Sequence, residues 1–284
     1  MKLLSLTLLL CVVVATTACG SGASVPQSQP LSGNWQITLQ RHFNPAPPLI
    51  FTGFMLQSGN SITGSLILGS NCSGIGPVAG TVDSSNLSLI IDEYGEDISL
   101  SGTMPSATTP LGGTFSNLAG GCTAYSNTGT WSAVQVSPLT GNFHGTFTSS
   151  KTKLAFNVSG AVAQGANTGD STASITGSIQ ASGGSGFCSY LSQATISGVI
   201  SGTTVALNLY DPDGAEITQL GQVGEINNPI VVPSPGVCGP PSNSLTEACL
   251  LVTPDGKSLT GNYTFPSISS TCTGDQGTLQ ISFP

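Results

Sequence analysis

The residues of this chain that could do chemistry are few, and the acidic ones gather in two short turns. Four carboxylates surround one turn at Asp92-Glu93-Tyr94-Gly95-Glu96-Asp97, and a second group lies at Asp211-Pro212-Asp213-Gly214-Ala215-Glu216. Carboxylates can bind a hard cation such as calcium, or hydrolyse a glycosidic bond when two face each other across a cleft. The second group lacks the later ligands of an EF-hand loop, and Pro-Asp-Gly is itself a turn signal. We therefore interpret both groups as hairpin tips and predict no metal site.

The two histidines of the sequence offer little support for catalysis. His42 and His144 each follow a Gly-Asn-aromatic unit, and no partner motif accompanies either of them. The sequence has no Gly-x-Ser-x-Gly elbow, no His-Glu-x-x-His motif and no phosphate-cradling loop. A serine hydrolase needs a base beside its nucleophile. We predict that the protein is not an enzyme and has no cofactor; an envelope hydrolase that uses the acidic residues is the alternative.

The N-terminus has the layout of a secretory signal, with a positive start at Met1-Lys2 and an apolar run from Leu3 to Ala15. The run is shorter than the roughly 20 residues of a membrane span. Ala18-Cys19 resembles the lipobox of bacterial lipoproteins, which implies a signal peptide over residues 1–18 and a lipid, such as palmitate, on Cys19. Residues 19–30 are Gly-, Ser- and Pro-rich and predict a flexible tether. By the same resemblance, the lack of an acidic residue after Cys19 favours the outer membrane; an ordinary secretory signal is the alternative.

The charge balance excludes one class of partner. Only 6% of residues are charged, and from Cys19 onward four basic and thirteen acidic residues give a formal charge of −9 (4 − 13). Nucleic-acid binding needs a Lys/Arg patch, and the sequence has none. A surface rich in Gly, Ser, Thr and Asn suits antiparallel sheets whose outer faces carry hydroxyl groups.

One short motif opens two successive segments of the chain. Leu31-Ser32-Gly33-Asn34-Trp35 is repeated as Leu139-Thr140-Gly141-Asn142-Phe143, with an echo at Leu259-Thr260-Gly261-Asn262-Tyr263. Apolar and polar residues alternate after each copy, which is a strand pattern. We predict an all-β protein with two tandem antiparallel meander domains of about eight strands each, over residues 31–136 and 139–284. A Pro-rich insertion at residues 224–247 interrupts the second domain, because its prolines cannot run through a central strand.

Each predicted meander has the strand number of an up-and-down barrel, which leaves no exposed edges. A two-sheet sandwich is the structural alternative. Gly33-Asn34-Trp35 resembles the Gly-x-Trp start of the calycin group, and Gly113-Thr114-Phe115 and Gly129-Thr130-Trp131 are similar to strands of avidin-like barrels. Trp35 and Trp131 lie in the first and last strands of the first segment, so in a closed barrel these two could floor a ligand pocket.

The remaining cysteines predict disulfide bonds, because an even number in an exported chain is typical of a disulfide framework. Once Cys11 in the signal and Cys19 are set aside, equivalent positions in the two segments suggest the pairs Cys72–Cys122 and Cys188–Cys272. Cys238 and Cys249 remain, at the Pro-rich insertion, and are predicted to pair with each other. No Cys-x-x-Cys spacing supports a metal site.

Taken together, these features predict a non-catalytic lipoprotein of the bacterial cell envelope that contacts the membrane through its lipid anchor. Its role is binding or structural, and its ligand is a small apolar molecule or a cell-surface polymer. An inhibitor or assembly partner that acts through the Pro-rich loop is a further alternative.

Overall fold

A computed structural model describes residues 31–42, 48–69, 74–93, 96–105, 110–117, 127–167, 169–182, 193–214, 216–220, 250–264 and 275–284. These residues form strands and turns, as predicted, and two closed antiparallel barrels follow one another along the chain. No helix in the described ranges is both long and apolar enough to cross a membrane. Because each sheet closes on itself, the predicted barrel is confirmed and the two-sheet sandwich is not.

The first barrel is an eight-stranded meander closed by pairing of its first and last strands. Its strands are β1 (Gly33–Arg41), β2 (Leu49–Ser58), β3 (Ser61–Gly69), β4 (Gly74–Asp83), β5 (Asn86–Glu93), β6 (Glu96–Thr103), β7 (Leu111–Asn117) and β8 (Asn127–Val136). Neighbours pair in sequence order, from β1–β2 through to β7–β8. All eight predicted strands are present.

Strand alternation fills the interior of the first barrel with side chains. Trp35, Ile37 and Leu39 of β1 are all buried, whereas Gln40 on the outer face is exposed. Large inward residues lie over glycines of nearby strands: a Cβ added at Gly102 on β6 would stand 2.8 Å from the ring of Trp131, two strands away on β8. An eight-stranded barrel is only just wide enough for its side chains, so aromatic residues need glycine neighbours.

The second barrel repeats this architecture with nine strands. They are β9 (Gly141–Ser149), β10 (Ala155–Gln164), β11 (Ala173–Ser182), β12 (Ala194–Ser201), β13 (Thr204–Tyr210), β14 (Glu216–Leu220), β15 (Leu250–Val252), β16 (Ser258–Thr264) and β17 (Gln276–Ser282). The ring closes because β9 pairs with β17 and β12 pairs with β13. An aromatic cluster fills one end of it, where Phe147 stacks on Phe156 and meets Tyr263 edge-on.

Two short strands share one position in the wall of this ring. Both β14 and β15 lie between β13 and β16 and run antiparallel to them. Leu220 pairs with Leu207 and Leu250 pairs with Val205, two residues further along β13. Leu250 thus takes the place that residue 222 would take in an unbroken strand. In the first barrel the same position is held by the continuous strand β6, so the insertion interrupts a strand rather than a hairpin.

Serine and threonine dominate part of the outer face of the first barrel. Ser88, Ser101, Thr114 and Thr130 are successive cross-strand neighbours on β5 to β8, and all four are exposed. Uncharged hydroxyl groups therefore form a row across four strands.

The repeated motif makes the same clasp at the start of both barrels. The main-chain N–H of Leu31 donates to Gln57 Oε1 at 2.8 Å, and that of Leu139 donates to Gln164 Oε1 at 2.9 Å. The N–H groups of the two glutamines donate back to the hydroxyl groups of Ser32 and Thr140. The glycine that follows has a positive φ in both copies, 143° at Gly33 and 131° at Gly141, a conformation that other residues rarely adopt. The motif therefore makes the same pair of hydrogen bonds at the start of each barrel.

The two barrels are joined by a buried polar contact. The tip of the β12–β13 hairpin rests on the outer face of β1 and β2, where Asn34 Nδ2 donates to the carbonyl of Gly202 at 2.8 Å. The N–H of Gly202 donates to Asn34 Oδ1 at 2.6 Å, and Ser201 Oγ lies 3.1 Å from Thr52 Oγ1. Asn34 and Thr52 belong to the outward-facing rows of the first barrel yet are buried. This contact fixes the orientation of one barrel against the other.

Apolar side chains surround that contact. Phe54 and Val136 are the cross-strand neighbours of Asn34 on β2 and β8, and both pack into the hydrophobic cluster of the second barrel. Thr203 Oγ1 donates to Gln36 Oε1 at 2.5 Å beside them. Each barrel keeps its own interior, and only the outer surface of the first contributes to the cluster of the second.

Candidate functional site

An apolar pocket of about 310 Å³ opens at one end of the first barrel. It lies where β1 begins, β6 ends, β7 begins and β8 ends, which is the end at which the chain enters from the N-terminal side. The residues that line it are Leu31, Trp35, Pro105, Pro110, Leu111, Ala133, Val134 and Gln135. Leu31, Trp35 and Leu111 form buried walls, whereas the side chain of Val134 is 44% exposed at the rim.

The donor groups at the wall of the pocket are already engaged. Trp35 Nε1 donates to the carbonyl of Leu31 at 2.8 Å, and Gln135 Nε2 donates to the carbonyl of Ser32 at 3.0 Å. The N–H of Leu31 is bonded to Gln57. The described residues of the wall therefore offer apolar contact area, and none of them brings a nucleophile, base or metal ligand to a bound molecule.

The two tryptophans lie at different levels of the same barrel. Trp35 pairs with Gln135 and Trp131 pairs with Leu39, so the two tryptophans are offset by four residues along the β1–β8 ladder. Trp35 lines the pocket, and Trp131 packs in the interior with its Nε1 donating to the carbonyl of Ser101 at 3.1 Å. The structure therefore places Trp35 alone in the pocket wall.

The acidic turns do not assemble a site among the described residues. Asp92 and Asp97 pair across the β5–β6 hairpin, where Asp97 is exposed on the convex outer face of the barrel. In the other turn, Asp211 Oδ1 accepts the N–H of Asp213 and the Asp211 carbonyl accepts the N–H of Gly214, both at 3.0 Å. No cluster of three potential metal ligands occurs in the part of the chain that is described. The described carboxylates of both groups therefore belong to hairpins of the two barrels.

The two histidines also lie far from the pocket and on different barrels. His42 follows β1 at the opposite end of the first barrel from the pocket, and His144 sits on the exposed face of β9 opposite Ser159 and Ser282. Each belongs to a different barrel.

A hydrogen-bonded group in the second barrel has no counterpart in the sequence reasoning. Asp275 accepts from Ser149 Oγ at 2.7 Å and from the hydroxyl of Tyr263 at 2.9 Å. Burial of the Tyr263 ring, reinforced by the neighbouring Asp275 carboxylate, raises the pKa of the Tyr263 hydroxyl well above its usual value of 10.0. The hydroxyl is therefore a persistent donor and a poor nucleophile, and the group ties β9, β16 and β17 together. The only sequence signal was that Tyr263 holds the aromatic position of the motif's echo.

The cysteines predicted to be modified or bridged all lie outside the described residues; they are Cys19, Cys72, Cys122, Cys188, Cys238, Cys249 and Cys272. The strands that border them are described. In the first barrel the β3–β4 and β7–β8 connections leave the same rim, and β11–β12 and β16–β17 do so in the second. The pairing of Cys72 with Cys122 and of Cys188 with Cys272 stays a prediction, as does that of Cys238 with Cys249.

Similarity to known proteins adds no further assignment. No protein-family model matches the chain, and no curated protein is significantly similar to it in sequence. The resemblance to calycin barrels therefore depends on the short Gly33-Asn34-Trp35 motif and stays a prediction.

Proposed function

We propose that this protein is a non-catalytic lipoprotein of the bacterial cell envelope, anchored through Cys19, with the outer membrane favoured, and that its paired barrels form a binding module. The observation that carries the proposal is the apolar pocket beside Trp35, whose wall donors are already bonded. A site of this kind can hold a ligand but supplies no reactive group. Its volume lies at the lower end of the range of about 300–1,000 Å³ that ligand pockets span.

The anchor is tested by replacing Cys19 with Ser and following the protein during cell fractionation. We expect the wild-type protein in the membrane fraction, labelled by radioactive palmitate, and the Cys19→Ser protein unlabelled and soluble. The substitution Ser21→Ala in the same segment is a matched control that should leave both the palmitate labelling and the membrane fractionation unchanged. Membrane association that persists without Cys19 would contradict lipid anchoring at this residue.

Binding is tested by mass spectrometry of the protein purified under native conditions. We expect a small apolar molecule to co-purify and to be released on denaturation. If the spectrum of protein isolated from its native membrane shows no mass other than that of the protein, a binding role is contradicted and a structural role is favoured.

The second candidate, a partner that binds the Pro-rich insertion, is favoured by one observation. The strands on either side of the insertion are collinear, since Leu220 and Leu250 pair with residues only two apart on β13. The insertion thus leaves and rejoins the wall of the barrel at one point, which is an arrangement suited to an appended recognition element. Removing it should abolish partner capture without unfolding the barrel.

A further inference from the structure

The pocket at the end of the first barrel has walls that select for one chemical class. Its described lining residues are aliphatic and prolyl, with one indole and the amide of Gln135, and Val134 lies at the rim. A sugar or peptide would bury polar groups there that find few partners, because the donors of Trp35 and Gln135 are already bonded. Burying a polar group without a hydrogen bond is unfavourable. The occupant that fits is a chain without polar atoms at that depth.

The size and place of the pocket narrow the class further. At about 310 Å³ it holds the end of one chain and not a whole lipid. The pocket is lined by Leu31 itself, and twelve peptide links separate that residue from Cys19. Twelve residues cannot reach further than about 40 Å even when fully extended. If Cys19 carries the anchor, the pocket stays close to the membrane surface.

We propose that this pocket binds the end of one aliphatic chain, acyl or isoprenoid, of an envelope lipid. The inference rests on the proposed function for the nearness of the membrane, but binding itself can be measured without the anchor. The soluble mature protein with Cys19→Ser serves for that purpose. A failure of the anchor would appear in fractionation, whereas a failure of this inference would appear in the binding measurement.

The two tryptophans supply the reporters. Bromine atoms on an acyl chain quench a tryptophan only at close range, and about 14 Å of strand separates the levels of Trp35 and Trp131. We expect dibrominated stearate, used below its micelle concentration, to quench Trp35 in a Trp131→Phe protein with a saturating curve. The matched Trp35→Phe protein, which keeps Trp131, should show little quenching. Should Trp131→Phe fail to fold, the difference between the wild-type and Trp35→Phe proteins isolates the Trp35 signal.

A second pair of variants leaves both tryptophans and the core intact. Val134 at the rim and Ile90 on the outer face of β5 are similarly exposed, at 44% and 42%, and only Val134 lines the pocket. A charge introduced by Val134→Glu should weaken stearate binding at least about tenfold, because the chain end would then meet an ionised group. The control Ile90→Glu should change the affinity less than about twofold.

Competition distinguishes the two sources of the chain. Displacement of the probe by unbrominated stearate at lower concentrations than an isoprenyl alcohol identifies an acyl chain, and the reverse order identifies an isoprenoid. Quenching that neither competitor reverses, equal quenching of both tryptophans, or equal effects of Val134→Glu and Ile90→Glu would overturn the inference. Binding that appears only after residues 20–30 are deleted would also overturn it, since the chain itself would then be the occupant.

Discussion

Asn34 and Asn142 occupy the same position of the repeated motif but lie in opposite surroundings. Asn34 is buried and exchanges two hydrogen bonds with the main chain of Gly202, whereas Asn142 is exposed on β9. The leucine, glycine and aromatic positions keep the same role in both copies. The duplicated unit therefore closes each barrel in the same way, and its first copy has taken on the additional task of holding the second barrel.

Gly202 is the residue on which this contact can be tested most cleanly. It has φ +55°, and a Cβ there would lie 2.5 Å from the side chain of Thr52. Gly59 has nearly the same φ, +59°, with no atom within 4 Å of the Cβ position. We expect Gly59→Ala to lower the free energy of unfolding by about 1 kcal/mol, and Gly202→Ala by about 2–4 kcal/mol because overpacking adds to the backbone cost. Urea denaturation measures both, and equal losses would show that the hairpin tip is not tightly docked.

Tyr263 predicts a pH dependence at the alkaline end. Its pKa is raised in the folded protein by burial and by Asp275, so the folded state holds the proton more tightly than the unfolded state. This contribution is complete below the unfolded pKa of about 10 and is lost as the pH rises above it. We expect the wild-type protein to lose stability as the pH rises from about 10 towards the raised pKa of the folded protein.

The matched variant is Tyr263→Phe, which removes the titrating hydroxyl and keeps the ring. Its unfolding midpoint in urea should lie below that of the wild type at pH 7, because it lacks the hydrogen bond to Asp275. The difference between the two proteins should shrink as the pH rises. A constant difference over the alkaline range would contradict the role assigned to the Tyr263 hydroxyl.

Among the strands, the position shared by β14 and β15 is the clearest departure from the first barrel. The first barrel fills that position with β6, which has 8 residues, and the second fills it with strands of 5 and 3 residues. We expect replacement of residues 221–249 by a single residue that links Leu220 to Leu250 to give a continuous strand and a folded barrel. Circular dichroism and the cooperativity of unfolding report the result, and a molten or unfolded second barrel would show that the insertion is part of the core.

Sequence alternation was sufficient to place the strands, because inward and outward residues differ sharply in polarity. The start of β4 at Gly74 is harder to place from the sequence, because Gly76 and Pro77 weaken the strand pattern although both pair with β3. The sharing of one strand position by β14 and β15 could not be read from the sequence, because it depends on contacts between β13 and β15, whose paired residues lie about 45 positions apart along the chain.

The candidate site was predictable only in part. Trp35 was singled out because of its motif, and it does line the pocket. Pro105, Pro110 and Val134 carry no local signal, since they meet Trp35 only when β8 closes on β1. The use of Asn34 at the contact between barrels was equally hidden, because Asn142, at the same position of the second motif, makes no such contact in the described structure.

At the scale of the whole molecule, two filled barrels meet at a buried contact, and the pocket lies at the end of the first barrel where the chain enters. Such an arrangement suits binding at a membrane surface, and the proposed lipid at Cys19 is what would keep it there. Stable anchoring requires more than one acyl chain, so the account needs a fully modified cysteine and not a single lipid.

The most direct measurement is the mass of the N-terminal peptide from protein isolated in its native membrane. We expect a peptide that begins at Cys19 and carries a diacylglyceryl group and an N-linked acyl chain, with residues 1–18 removed. A peptide that begins at another residue, or that begins at an unmodified Cys19, would contradict it.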